Sequence, residues 1–530
     1  MKNKFIFLST CLIGTIMLFS CKDNNKGSDE KTTEVTAQSD TDFRPAFHFT
    51  PKENWMNDPN GMFFLNGTYH LFFQHYPEGN TWGPMHWGHA TSKDLIKWEE
   101  QPIALFPDEK GYIFSGSAVV DTENTSGLGD GITPPVIAMF TYHNMEGEKA
   151  GREDYQTQAI AYSLDEGKTW TKYEGNPVID NPGIRDFRDP KITRDEVHDQ
   201  WVMVLSADDQ TMFYTSQNLK DWELASEFGR GIGAHGGVWE CPDFIQMQVE
   251  GSDEKKWVLI QSLNPGGFNG GSGTQYLVGD FDGKTFTLDE SMNDLSEDHH
   301  YWLDFGKDNY AGVTWSNIPE EDGRHLFMGW MSNWQYANEV PTETWRSAMT
   351  IARELKLTKT GETYRMVSSP VAELQEYSGE EFTKNVIAVE GETQIATAKD
   401  IDLSTSVISF EIEDLKDQEY HFNLSSEGGD VLKFGYDHNT EEFYIDRSKS
   451  GLTDFNENFG DKISIAPRLS KASNLKVKAV IDNMSIELFY DNGETVMTEI
   501  FFPKKPISIF SAEGDDFNIK NLKINQVKLN

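Results

Sequence analysis

Four segments in the first three hundred residues repeat one pattern, a strand, a polar turn and a second strand opened by an aromatic: Ala90 to Glu100, Ala161 to Tyr173, Tyr214 to Ala225 and Gly279 to Asp289. A unit this small cannot bury its own apolar face, so it must stack on copies of itself. The anchoring aromatics Trp98, Trp170, Trp222 and Phe286 stand 72, 52 and 64 residues apart, the length of a four-stranded blade with long loops. At roughly 62 residues per blade, residues 48–355 hold about five blades, inside the range propellers use. The spacing therefore predicts an all-β chain with a five-bladed β-propeller over residues 43–360.

The second repeat, Ser163-x-Asp165-x-Gly167-x-Thr169-Trp170, fits the Asp-box turn found in sialidases and other propellers, and is expected to stabilise a hairpin and carry no chemistry. Asn66-Gly67 between two apolar runs is a strong hairpin signal. Residues 361–381 read as a linker. From about Phe382 the chain has no Trp and alternates strictly, as in Val407 to Glu413 and Lys476 to Ile481; that pattern predicts a β-sandwich over residues 382–530.

The formal charge of −40 and the absence of any basic stretch exclude nucleic acid as a natural partner. Lys2 and Lys4 precede an apolar run from Phe5 to Phe19 that ends at Ser20-Cys21. This reads as a secretory signal over residues 1–20, too short to span a membrane comfortably. Leu18-Phe19-Ser20-Cys21 resembles the lipobox of bacterial lipoproteins, which implies lipidation of Cys21, a polar tether over residues 21–42 and a place in the cell envelope. Only Cys241 then remains as a thiol, so no internal disulfide framework is expected.

Three segments put a carboxylate between constraining neighbours: WMNDPNG (Trp55 to Gly61), FRDPK (Phe187 to Lys191) and VWECPDF (Val238 to Phe244). The proline after Asp58 and after Asp189 predicts an extended backbone that fixes each carboxylate's direction. Glu240, between Trp239 and Cys241-Pro242, has neighbours that hydrate a charge poorly, which suits a proton donor. The spacings of 131 and 51 residues place the three on different blades, and a propeller gathers its inner strands at one axis. Two carboxylates of opposed protonation among aromatics are the equipment of glycoside hydrolysis. Cys241, next to Glu240 on a strand, is expected to point away from it and to pack behind the acid.

These segments, with FSGSA (Phe114 to Ala118) between the first two, resemble in order and interval the family 32 glycoside hydrolases: invertases, inulinases, levanases and fructan exohydrolases. The resemblance implies a five-bladed propeller with an appended sandwich and a retaining mechanism on β-D-fructofuranosides. It implies Asp58 as nucleophile, Glu240 as general acid/base and Asp189 as transition-state stabiliser, with Arg188 helping to hold the ring hydroxyls. Trp55, Asn57, Gln74, Trp82, Phe114, Ser115 and Trp315 would line the fructose subsite. The sequence around Pro341-Thr342-x-x-Trp345-Arg346 is similar to exo-acting fructan hydrolases. No cofactor is implied: His86-x-x-His89 and His299-His300 lack a completing ligand at a recognisable spacing.

Two other readings stand beside this one. A propeller glycosidase acting on arabinose or xylose would invert, with its carboxylates farther apart; a surface glycan-binding lipoprotein would hold polymer on aromatics without cleaving it. The sandwich, lacking Trp, reads as a brace for the propeller.

Overall fold

The computed structural model describes residues 43–529, apart from 293, 294, 297 and 298. The signal, Cys21 and the tether lie outside the described residues.

Five antiparallel sheets form the five blades. Their inner strands are Asn54–Leu65, Tyr112–Val120, Phe187–Asp195, Val238–Gln248 and Tyr310–Thr314, here those of blades I to V. Each packs on the next, and the fifth returns to the first. The ring closes where Trp345–Arg346 pairs in parallel with Asn54 and Trp55, and where Ser316 bridges to Phe63.

Local chemistry explains the blades. The Asn66-Gly67 turn joins Leu65 to Thr68 with both residues at positive φ, 49° and 73°, the twist that suits a two-residue hairpin. The repeat proves to be one turn used three times. Ser92 Oγ accepts the amide of Leu95, Asp94 that of Lys97, and the Trp98 indole donates to the Leu95 carbonyl. The same bonds join Ser163, Asp165, Gly167, Thr169 and Trp170, and Ser216, Asn218, Leu219, Asp221 and Trp222. In blade IV Asp282 Oδ1 still accepts the amides of Lys284 and Thr285, while Phe286 replaces the tryptophan. Each side chain satisfies turn amides that strand pairing leaves open.

Blade V is completed by Arg353–Thr360 and Thr363–Pro370. The stretch 361–381, expected as a linker, thus holds the blade's outermost strand and a short 3-10 turn, Ala372–Tyr377. Beyond it, ten strands form one continuous sheet that folds over itself into a sandwich. The long strand Ile507–Val527 makes the fold: its first half pairs with Glu419–Ser426 and its second half with Ser406–Ile412. Ile408, Phe410, Phe422, Phe434 and Leu488 fill the space between the leaves.

Buried ion networks fasten the sandwich to the propeller. Arg353 donates to Asp304 at 2.9 Å and to Glu487 at 3.0 Å. Glu487 and Asp482 each lie 2.8 Å from a ring nitrogen of His48. Arg447 pairs with Asp308 at 2.6 Å and Glu499 at 2.7 Å. Ion pairs this deep add little net stability, because desolvation offsets attraction, but breaking one is costly. They fix the seating of the two parts.

Candidate active site

All five inner strands break register at the same height. In each, two residues oppose one on the neighbouring strand: Asn57-Asp58 face Gln74, Phe114-Ser115 face Thr141, Asp189-Pro190 face Leu205, Cys241-Pro242 face Gln261, and Ala311-Gly312 face Gly329. Such bulges turn side chains out of the alternation of a regular strand. Here they turn them toward the axis. Asp189, Cys241 and Ala311 take left-handed backbone, with φ of 67°, 44° and 54°, at a cost of roughly 1–3 kcal/mol each. The extended backbone expected for Asp189 is thus not what forms. Proline does bias its predecessor, but the bulge, pinned by strand pairing on either side, overrides that bias.

The opposing residues hold the bulges in place. Thr141 Oγ1 accepts the Asp189 amide at 3.0 Å, Gln261 Nε2 donates to the Glu240 carbonyl at 2.8 Å, and buried Gln74 donates to Asn60 at 2.8 Å.

The three carboxylates converge. Asp58 Oδ2 accepts from Ser115 Oγ at 2.7 Å, and its Oδ1 from Asn57 Nδ2 at 3.0 Å. Asn57 in turn accepts the indole N–H of Trp55 at 2.7 Å. Asp189 Oδ2 accepts the Cys241 amide at 3.0 Å. Arg188 donates to Glu240 Oε1 from Nη2 at 3.0 Å and to Asp186 from Nη1 at 2.6 Å. Tyr310 donates its hydroxyl to Glu240 Oε2.

Cys241 departs from expectation. Its sulfur lies 3.5 Å from Asp58 Oδ2 and 3.6 Å from Asp189 Oδ2, because the bulge at Cys241 cancels the alternation that would have sent it behind the strand. Burial, and then Asp189 and Asp58, push its pKa well above the usual thiol range, so it stays a thiol and donates to the carboxylates. Nor does Glu240 sit in an apolar sleeve: Trp239 is buried in the core with Phe213 and Phe244, stacked on His235, and Arg188 and Tyr310 hold the carboxylate instead.

Crowding sets the electrostatics. Burial raises the pKa of Asp58, nearby Glu240 adds to it, and the bonds from Ser115 and Asn57 oppose. Asp189 is pushed up to about 7 by burial and by Glu240 and Asp58, against the pull of Arg188. Burial alone would depress Arg188, yet Glu240, Asp189 and Asp186 raise it well above its ordinary value. The guanidinium is a fixed charge among acids.

Aromatic walls surround this group. Trp55, Met85, Cys241, Tyr310 and Trp330 form one buried cluster, with Trp82, Phe114 and Trp334 half-buried against it. Trp82 meets Phe114 edge-on at 6.1 Å, and Phe114 stacks on His143 at 4.2 Å. Trp55 is fully buried and reaches the carboxylates only by way of its bond to Asn57. Trp315, expected in the subsite, is a correction. It lies past the far end of its strand, stacked on Trp98 and bonded to the His70 carbonyl at 2.9 Å, because it follows Thr314, the last residue of the strand that Tyr310 begins. Trp334, which the sequence reading missed, stacks on Trp55 at 5.8 Å. Tyr310, Thr141 and Gln261 were missed too; no local motif marks them, only their positions next to or opposite a bulge.

Below the carboxylates Lys191 and Asp243, 3.1 Å apart, close the axis with Thr314. The Lys of FRDPK and the second acid of VWECPDF thus serve the scaffold. A cavity of about 470 Å³ opens on the far side of this plug, lined by residues such as Arg194, Trp201 and Trp315, away from the carboxylates. Of the histidines weighed as ligands, His89 lies 3.0 Å from His70 and His299 bonds to Gln275. Among the described residues no group of three or more His, Cys, Asp or Glu side chains is arranged to hold a metal ion.

Comparison with known proteins places the chain in a family. Residues 48–370 match the N-terminal domain of glycosyl hydrolases family 32, and residues 373–526 match that family's C-terminal domain. The levanase of Bacillus subtilis (strain 168) is 46% identical over 494 residues, spanning 92% of this chain and 71% of that protein. The extracellular exo-inulinase inuE of Aspergillus ficuum is 40% identical over 497 residues, covering 88% of this chain and 90% of that one. The crystal structure of exo-inulinase from Aspergillus awamori superposes with a TM-score of 0.83 at 36% identity, over 92% of this chain and 98% of the other. A fructofuranosidase from Schwanniomyces occidentalis complexed with fructose gives 0.82 at 32%, over 93% and 100%. With both domains matched and its carboxylates gathered on one propeller axis, the chain belongs to glycosyl hydrolase family 32.

Proposed function

We propose that this protein is a retaining, exo-acting β-fructofuranosidase that releases fructose from β-fructans and short β-fructofuranosides. The observation that carries the reading is the convergence of Asp58, Glu240 and Asp189 on one aromatic-walled axis, each held differently. Relatives named levanase and exo-inulinase over most of the chain support fructan as the substrate class.

Glu240 protonates the glycosidic oxygen as the bond to C2 of fructose breaks, and the leaving group departs with that proton. Asp58 attacks C2 and forms a fructosyl ester; Ser115 and Asn57 hold its oxygens in line. The Glu240 carboxylate then takes a proton from water, whose oxygen attacks C2 and frees Asp58. Asp189, with Oδ2 occupied by the Cys241 amide, offers Oδ1 to a ring hydroxyl, and that bond tightens as positive charge grows on the ring.

Residues 1–20 act as the export signal and Cys21 carries the lipid, with residues 21–42 as tether, so the enzyme works at the cell envelope. Relatives named as extracellular support export. Metabolic labelling with a radioactive fatty acid tests the anchor; a Cys21→Ala variant that labels as strongly as the wild type overturns it.

The activity is tested by offering purified protein levan, inulin and sucrose in parallel, with Asp58→Asn as blank. Free fructose alone from the earliest time, absent in the blank, is expected. Oligosaccharides appearing first would make the enzyme endo-acting. Silence on all three substrates would refute the reading.

A further inference from the structure

Glu240 has two oxygens, and the protein engages both in different ways. Arg188 takes Oε1 with two N–H groups, from Nε at 3.2 Å and Nη2 at 3.0 Å. Tyr310 takes Oε2 with its hydroxyl. Paired carboxylate and guanidinium keep negative charge on Oε1, so the catalytic proton belongs on Oε2, the oxygen the phenol touches.

We propose that Tyr310 is a positioning residue for the acid/base, one that holds Glu240 Oε2 in the orientation from which it protonates the leaving oxygen.

Tyr310 is built for that task. It is the first residue of the inner strand of blade V, and the Ala311-Gly312 bulge directly after it aims it at the axis. The residue is 1% exposed and belongs to the cluster of Trp55, Cys241, Ala311 and Trp330, which holds its ring in place. Burial, then Glu240 and Cys241, raise its pKa well above the ordinary tyrosine value; across the working range of pH the phenol donates and takes no proton from substrate. When Glu240 is protonated, Oε2 keeps a lone pair for the phenol hydrogen while its own O–H points at the glycosidic oxygen. After the proton has left, the same phenol stabilises the carboxylate that must next receive a proton from water. Tyr310 therefore acts on both halves of the cycle through Glu240, without touching the sugar.

The inference rests on Glu240 as acid/base, and the experiment separates the two claims. Tyr310→Phe removes one oxygen and keeps the ring. It is assayed with Glu240→Ala on two substrates: methyl β-D-fructofuranoside, whose alkoxide leaving group needs a proton, and an aryl β-fructofuranoside with an acidic phenol, which needs little. Glu240→Ala is expected to lose formation of the fructosyl ester on the methyl substrate far more than on the aryl one, read as the first turnover. Tyr310→Phe should follow it with a smaller split: roughly 10- to 100-fold lost in kcat/KM on the methyl substrate, as a hydrogen bond to a charged group commands, and less than threefold on the aryl one. Unfolding and circular dichroism of Tyr310→Phe check that the fold is intact. Equal losses on both substrates for Tyr310→Phe, with the split preserved in Glu240→Ala, overturn the positioning role. Absence of the split in Glu240→Ala overturns the acid/base assignment itself.

Discussion

His48 gives the sharpest quantitative test of how the two parts are joined. Its ring is buried, with Nδ1 2.8 Å from Asp482 and Nε2 2.8 Å from Glu487. The amides of Ala46, Phe47 and His48 also donate to Asp482. Burial alone would lower the imidazole, but the two carboxylates outweigh it and raise its pKa from 6.5 to about 9. That difference is worth about 3 kcal/mol of folding stability. The sign follows from the direction: a raised base contributes fully below pH 6.5 and its contribution is lost as pH climbs through about 9. The assay is thermal unfolding from pH 6 to 9.5 for wild type and His48→Gln, with hydrogen exchange at Ala46 to His48 as a local reading. Titrating groups far from His48 are common to both proteins and cancel in the difference. The wild type should be the more stable at pH 6, and the gap should shrink by about 3 kcal/mol across the range. Parallel curves would mean that His48 is neutral in the folded protein and would refute the reasoning.

Three further outcomes are expected. Asp189→Asn should cost roughly a thousandfold or more in kcat yet melt higher than wild type at pH 8; because the Asp189 pKa is raised to about 7, the stability gap should close as pH falls below the ordinary carboxylate range, and calorimetry at pH 8 and pH 3.5 checks it. Trp315→Ala should cost about 3–5 kcal/mol of stability and leave kcat/KM of the folded enzyme unchanged, whereas Trp334→Ala should lower kcat/KM with little effect on melting; denaturant curves and sucrose kinetics distinguish them. Cys241, 4% exposed and held as a thiol, should resist iodoacetamide at pH 8 in the folded protein and react within the same time in guanidinium, as mass spectrometry of the modified peptide would show.

Much of this molecule was legible in its residues. The turn that recurs at Trp98, Trp170 and Trp222 uses side chains that bond to amides within a few residues, and chemistry that local leaves its mark in the chain. The alternation that announced the sandwich is likewise a property of neighbours in sequence. Asp58, Asp189 and Glu240 could be singled out because each stands in a short motif. The outer strand Thr363–Pro370 was harder, since it follows its partner through a bare two-residue turn and carries none of the repeat's side chains.

What sequence could not decide is where side chains point once strands stop alternating. Motif and period place Cys241 behind the acid, yet tertiary structure puts it between Asp58 and Asp189. Trp315 reads as a wall of the subsite yet lies on Trp98, away from the carboxylates, while Trp334, which no motif marks, stacks on Trp55. Tyr310, Thr141 and Gln261 act from positions that no motif marks. The physical reason is common to all. The residues themselves determined the strands, the turns and the three acids, through bonds between near neighbours. The five aligned bulges, and with them the aim of every group around the carboxylates, exist only because each inner strand is pinned by partners distant in sequence, and that pairing is decided by the closed ring as a whole.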